Sequence, residues 1–297
     1  MAIEDKVFSG DSLRVGYRFQ RHWDNSMAYA FFCAEMGAGL VFVSVLMNSM
    51  PGIIIGLIPV VTGKPFFHLA HMGVPARSWR AAIRPDRSWI SRGLLGLSAM
   101  VGSAVLLLGC LMFGEQIGIA SDGFIVLLLK AATLVFAVVT MTYQGFAMSH
   151  SSAIAIWNSA ILPLASFLYS ASTGVALAML IESEGLTLLA RAQLLLLLPL
   201  AIMHWMLLHA AWNGSPGART SAELLLQTLY AKWFWLLVIA IGIVIPAILL
   251  WFGGDVVIMR AIIAGAILAG FLAWRILIFK IGVFEPIMSM NPFSPLR

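Results

Sequence analysis

The chain has 297 residues, of which 61% are hydrophobic and only 10% charged, against roughly 25% charged in a soluble domain. Too few polar side chains remain to cover a water-facing surface, so a water-soluble globular protein is excluded and most of the surface must face lipid. The formal net charge is +5, and in such a protein the distribution of the basic residues carries more information than their sum.

Residues 1–24 are polar and contain no apolar core of the kind a cleavable signal needs, so they are expected to form an N-terminal cytoplasmic segment. Eight apolar segments follow, near 25–47, 51–71, 90–113, 123–146, 157–181, 191–211, 233–252 and 257–281. Each approaches the roughly 20 residues that cross a hydrocarbon core. The second is the weakest, because Lys64, Pro65, His68 and His71 crowd its end. Prolines inside spans (Pro59, Pro163, Pro199, Pro246) are tolerated where neighbouring helices satisfy the freed backbone groups. Small-residue stretches such as Gly37-Ala38-Gly39 suit close helix packing. The expected fold is all-α and integral to the membrane. Its eight transmembrane helices form two four-helix bundles, 25–147 and 148–282, followed by a proline-rich tail over 283–297 that cannot be helical.

An even number of spans puts both termini on one side, here face A. Thirteen of the 18 Lys and Arg residues fall on face A, two (Arg191, Arg260) on the opposite face B, and three (Lys64, Lys130, Arg275) within spans. Face B instead carries Glu115, Asp122, Glu182, Glu184 and Asp255. Basic residues stay on the cytoplasmic side, so both termini are expected in the cytoplasm, in the cytoplasmic membrane of a bacterium or archaeon. The longer connections, 72–89, 147–156 and 212–232, also lie on face A. A basic face of this kind meets either anionic lipid or a soluble partner. The mixture of Arg with Pro, Trp and Gly in 72–92 favours the partner over a plain lipid-binding lysine run.

The sequence carries no P-loop, no dinucleotide fingerprint, no H-E-x-x-H and no G-x-S-x-G. Cys33 and Cys110 have neither metal-ligand spacing nor a disulfide framework, and no metal site or nucleic-acid-binding feature is expected. The informative polar residues gather at the face A ends of spans: His22, Asp24 and Asn25 before the first, His68 and His71 ending the second, Tyr143 near the end of the fourth, Trp157 and Asn158 opening the fifth. A quinone headgroup needs hydrogen-bond partners for two carbonyls, an aromatic or apolar slot, and a group that exchanges protons. These side chains supply all three. Each one, taken alone, also fits an interfacial anchor. Within the membrane, Glu35 invites either a proton path or a buried ion pair with Lys64 or Lys130. His204 and His209, five apart and roughly 140° around one helix, do not face a common plane as haem ligands must, so no haem is expected.

The stretch from His71 through Gly73, Pro75, Arg77, Trp79 and Arg80 to Arg84-Pro85-Asp86-Arg87-Ser88-Trp89-Ile90-Ser91-Arg92 resembles the loop of the NrfD-like family, the membrane anchors of polysulfide reductase, dimethyl sulfoxide reductase and related complexes. His22-Trp23 ahead of Gly37-Ala38-Gly39, and Tyr143 ahead of Ile156-Trp157-Asn158 and Pro163, are similar to other parts of that family. One departure stands out: Gly93 occupies the place of the family's acidic residue. The resemblance implies an anchor that binds menaquinone or ubiquinone and holds no metal. A four-cluster, ferredoxin-like iron–sulfur subunit would carry electrons, and a molybdopterin subunit with molybdenum or tungsten would perform the substrate chemistry. It implies His71 as the first quinone-binding residue, then His22 and Tyr143, with Asn25 and Asp24 behind them. It also implies Pro75, Arg77, Trp79, Arg80, Arg84, Arg87, Trp89 and Arg92 as partner-docking residues. With the loop on the cytoplasmic side, the catalytic partner would be cytoplasmic, as in sulfite dehydrogenase-type or aryl-acetyl-CoA oxidising complexes. The competing reading is a secondary transporter of a small solute, for which eight spans with an intramembrane Glu and Lys suffice. Its hallmark internal repeat is not visible, and the polar residues lie at one face rather than the midplane.

Overall fold

The computed structural model describes residues 18–253 and 256–285. Lys6, Arg14, Asp255, Arg297 and the tail beyond Glu285 lie outside the described residues. Among the described residues, eight helices are long and apolar enough to cross a membrane. They are α1 (Asn25–Leu46), α2 (Met50–His71), α3 (Trp89–Ile117), α4 (Phe124–Ser149), α5 (Ile161–Ile181), α6 (Leu186–Trp212), α8 (Leu229–Trp251) and α9 (Val257–Lys280). A shorter helix, α7 (Pro216–Gln227), lies on face A between α6 and α8. The connection expected over 212–232 is therefore largely helical, and its signal was in the sequence: Ser215 caps the Ala218 amide ahead of a proline in the first turn. Asp24, Ser49 and Ser88 cap α1, α2 and α3 in the same way.

The fifth span starts at Ile161 rather than near 157. Residues 150–160 are held in an irregular turn because Trp157 donates its indole N–H to the Ile278 carbonyl at 2.9 Å and Ile154 bridges Phe284. Pro163 then falls in the first turn of α5, where a missing amide costs nothing. The second span runs its full length. Two prolines, Pro59 and Pro65, deprive it of amide donors, and it absorbs the fault in one π turn over Pro59–Gly63.

Among the first set of four spans α3 lies along α4 and α1 along α2 and α4; among the second set α6 and α9 lie along α5 and α8 along α9; across the two, α4 also lies along α5 and α1 along α9. The first helix of each set, α1 and α5, cross at the centre and join the two. Their apolar windows are 67% and 72% buried, against 28% for α2, α3, α4, α6 and α8. This contact is nearly backbone to backbone. A Cβ on Gly39 would fall 1.8 Å from the Ser170 carbonyl oxygen, and one on Gly174 would fall 2.3 Å from the Gly39 backbone. Small residues let helices approach closely where no hydrophobic effect drives them together.

At this centre lies a buried ion pair. Arg275 of α9 forks onto Glu35 of α1 through Nε (2.8 Å) and Nη2 (2.5 Å), and Nη2 also donates to Ser166 Oγ of α5 at 2.7 Å. The rings of Phe31 and Phe271 flank the guanidinium at 6.0 and 5.4 Å. The two partners considered for Glu35 from sequence are therefore displaced by a third. Lys130 instead donates to Asn48 Oδ1 at 2.6 Å near face B, and Lys64 turns to a cavity described below. A planar guanidinium matches both carboxylate oxygens at once, which an ammonium cannot do.

On α6, His204 is buried. Its Nδ1–H donates to the Leu200 carbonyl at 2.7 Å, so Nε2 accepts from the Tyr169 hydroxyl at 2.9 Å. His209 sits on the outer surface against Trp205. On face A, Arg18–Phe19 (β1) pairs antiparallel with Val283–Phe284 (β2), and Gln20 Nε2 donates to the carbonyls of Trp23 and Phe279. The two ends of the described chain are thus fastened together on one face.

Removing one member of a buried pair strands the other charge. Arg275→Met alone is expected to destabilise the protein by about 3–5 kcal/mol, and the double variant Glu35→Leu/Arg275→Met to recover most of that loss. Thermal unfolding in detergent would measure both. Single and double losses that simply add would show that the pair does not act as a unit.

Candidate functional site

Beneath face A, the ends of α1, α2, α3 and α4 enclose a cavity of about 360 Å³. Trp23, Met27 and Phe31 reach it from α1 and its approach, at the four-residue spacing that shares one helix face. Lys64, Pro65, His68, Leu69 and Met72 come from α2 and its end, Ile90, Leu94 and Leu97 from α3, and Tyr143 and Ala147 from α4. Ser78, Trp79 and Ala81 roof it; they belong to a 3₁₀ segment, Pro75–Ala82, within the loop between α2 and α3. Leu69, Ile90 and Leu94 line the cavity while 38%, 41% and 36% exposed, so it opens between α2 and α3. The wall is mainly apolar, interrupted by a few polar groups, as small-molecule sites are.

The polar groups are Lys64, His68, Tyr143 and Ser78. Lys64 is 8% exposed, with its ammonium 4.8 Å from the Phe31 ring centre and 5.7 Å from that of Tyr143. Such cation–π contacts partly offset the loss of water. Nδ1 of His68 is buried and has no hydrogen-bond partner among the described residues. Tyr143 receives a hydrogen bond from Gln144 Nε2 at 3.3 Å. Its ring lies directly over Gly93: a Cβ there would fall 1.8 Å from Tyr143 Cδ2. The departure noted in the sequence thus has a steric meaning. A side chain at 93 would require the Tyr143 ring to shift, and here the ring occupies that space.

The roof is pinned to the start of α3. Ser91 Oγ donates to the Ala81 carbonyl at 2.5 Å, and Arg92 donates to the carbonyls of Pro85 and Asp86 at 2.7 and 2.9 Å. Arg92 also lies over Trp89, which stacks on Phe146 at 4.4 Å. Of the residues expected to dock a partner, Arg92 and Trp89 therefore hold the loop in place. Pro75, Arg77, Arg80, Arg84 and Arg87 are exposed on it, and Arg87 pairs with its neighbour Asp86 at 3.2 Å. Trp79 belongs to both sets, since it lines the cavity and is 61% exposed.

Of the eight residues expected at a quinone, His68 and Tyr143 line the cavity. His71 and Asp24 do not line it; they pair at its rim, Nδ1 to Oδ1 at 3.1 Å, each one residue from a lining residue. Partial burial works against ionisation of Asp24, but the Met27 amide and His71 outweigh it and hold the carboxyl below its ordinary range. His22 and Asn25 are exposed and line no part of the cavity. Trp157 is a core residue, its ring tilted against that of Trp23 at 5.3 Å. Asn158 lines a separate hollow of about 380 Å³ with Ser152, Ser215 and Glu285. His68, which lines the cavity, lies one helical turn before His71, which does not. Lys64, from the residues assigned to a proton path, lines the cavity as well. The apolar wall was visible as the spacing of 23, 27 and 31 and of 90, 94 and 97, but such stripes look the same in any packed core.

Among the described residues no group of three or more His, Cys, Asp or Glu is placed to hold a metal ion. No curated protein matches the chain. The family model described as polysulphide reductase, NrfD, matches residues 16–285, nearly the whole length. Proteins of that family are the membrane-anchoring, quinone-interacting subunits of molybdoenzyme complexes. With eight spans, an arginine-bearing loop roofing an interfacial cavity, and a match across both halves, the chain belongs to the polysulphide reductase NrfD family.

Proposed function

We propose that the cavity under the 75–82 roof binds a quinone headgroup, and that this subunit exchanges electrons between the membrane quinone pool and an iron–sulfur subunit docked on the arginine-bearing loop. The observation that carries the reading is an apolar, laterally open cavity lined by His68, whose buried Nδ1 has no hydrogen-bond partner among the described residues. Buried polar atoms are normally hydrogen-bonded, so an orphan on a side chain that lines a cavity supports a ligand there. A quinone carbonyl or quinol hydroxyl satisfies it, depending on which ring nitrogen of His68 carries the proton.

Interconversion of quinone and quinol moves two electrons and two protons. His68 and the Tyr143 hydroxyl are the groups of the wall that donate to or accept from an oxygen and exchange its proton. The His71–Asp24 pair at the rim stands between that site and the aqueous face, where it relays a proton without touching the ring. The isoprenoid tail leaves through the gap between α2 and α3, along Leu69, Ile90 and Leu94. Arg77, Arg80, Arg84 and Arg87 lie just above the roof and offer an acidic partner a landing surface. The partner then sits within one loop's thickness of the headgroup. The type of quinone, menaquinone or ubiquinone, is left open by this wall. A molybdopterin subunit with molybdenum or tungsten completes the complex.

His68→Ala is expected to lower quinone- or quinol-coupled turnover of the complex by roughly 10²-fold, while activity with artificial soluble electron carriers persists. His71→Ala is expected to have a smaller effect. A larger loss at His71 than at His68 would move the site back to the rim. Face A carries most of the arginines and is assigned to the cytoplasm. A reporter fused after Arg297 is expected to read cytoplasmic, and an extracytoplasmic reading would reverse the side on which the partner docks.

A further inference from the structure

Lys64 is a largely buried cation with no hydrogen-bond or ion-pair partner of its own among the described residues, and Glu35 is the carboxylate within its electrostatic reach. It is 8% exposed. The nearest intramembrane carboxylate on α1, Glu35, is already held by both arms of Arg275. Among the described residues, Lys64 Nζ has neither a hydrogen-bond acceptor nor an ion-pair partner, only the faces of Phe31 and Tyr143. Lys130 offers the contrast: it too is a lysine within a span, and it is satisfied by Asn48 near face B. An unpaired charge at this depth is costly.

The local backbone keeps Lys64 there. The Lys64 amide reaches back five residues to the Pro59 carbonyl, and Pro65 has no amide to offer. Gly63 lies against Cys33 of α1, where a Cβ would fall 2.7 Å from Sγ, so α2 cannot swing outward without breaking this contact. The ammonium therefore stays in the wall of the cavity, one turn below His68.

Resting on the quinone reading, we propose that Lys64 binds the inner carbonyl oxygen of the quinone and stabilises the headgroup once it carries negative charge. One electron from the one-electron carrier of the iron–sulfur partner adds to the quinone, giving the semiquinone anion. No bond breaks and no proton moves in this step, and the new charge rests on the oxygen facing the ammonium. The second electron and two protons follow, one proton reaching the outer oxygen by way of His68 and the other reaching the inner oxygen by way of the Tyr143 hydroxyl. Run in reverse, the same charge eases loss of the first electron from a quinol, because it stabilises the semiquinone that results. Lys64 thus sets the charge state in the site, whereas His68 and Tyr143 handle protons.

The test uses the intact complex with decylubiquinone and menadione as probes. Lys64→Met, close to lysine in volume, is expected to abolish the semiquinone signal in electron paramagnetic resonance redox titrations and to lower quinone-coupled kcat at least tenfold. Activity with artificial carriers and the thermal midpoint should stay at wild-type values. Lys64→Arg is expected to restore part of the signal. A Lys64→Met complex that binds quinone and yields wild-type semiquinone and kcat would overturn the role of Lys64 and leave the quinone site standing. A wild-type complex that binds neither quinone would overturn both.

Discussion

The fold depends on one interaction that a lipid-facing protein can least leave incomplete: the Arg275 guanidinium closed onto Glu35 and Ser166. These three residues sit on α9, α1 and α5, the three spans with most of their apolar window inside the protein. Each charge would be intolerable in hydrocarbon without the other, so the pair forces α1 and α9 into register and brings α5 against both. The glycines at 39 and 174 then allow α1 and α5 to meet at backbone distance. With α1 fixed by its partners in the second set, its opposite face is free to line a cavity with α2, α3 and α4. The same helix presents Glu35 to the core, and Phe31, one turn before it, to both Arg275 and Lys64.

The cavity is a consequence of that frame and of local chemistry at two points. The π turn between Pro59 and Gly63 and the contact of Gly63 with Cys33 hold Lys64 and His68 on the inner side of α2. Gly93 leaves room for the Tyr143 ring. The roof is held by side chains that reach main-chain carbonyls, Ser91 to Ala81 and Arg92 to Pro85 and Asp86. These bonds leave the remaining arginines of the loop facing outward. One short segment of chain thereby closes the cavity from one side and presents a charged surface on the other, the juxtaposition that the proposed electron-transfer anchor requires.

Much of this was legible in the sequence, for physical reasons that differ by feature. The spans were visible because a lipid-crossing helix must be long and apolar. The expected sidedness rests on the way charge sorts between the two faces. The family was visible because its loop combines Pro, Trp and Arg at fixed spacing. What escaped was pairing between distant positions. Glu35 and Arg275 are 240 residues apart, and nothing local marks them as partners. Trp157 and Asn158 looked interfacial, yet one hydrogen-bonds the far end of the chain and the other lines a different hollow. His71 and His68 differ by one turn, and only the helix's end and the roof decide which of them faces inward. Gly93 read as a loss and proved to be the space that Tyr143 fills.

The central claim is that a quinone headgroup sits among α1, α2, α3 and α4 under the 75–82 roof. Photoaffinity labelling of the complex with an azidoquinone, followed by peptide mapping, tests it most directly. The account predicts label on the α2 end between Lys64 and Met72, on the roof around Trp79, or on Tyr143, all competed away by excess unmodified quinone. Competable label confined to α5, α6, α8 or α9 would contradict it.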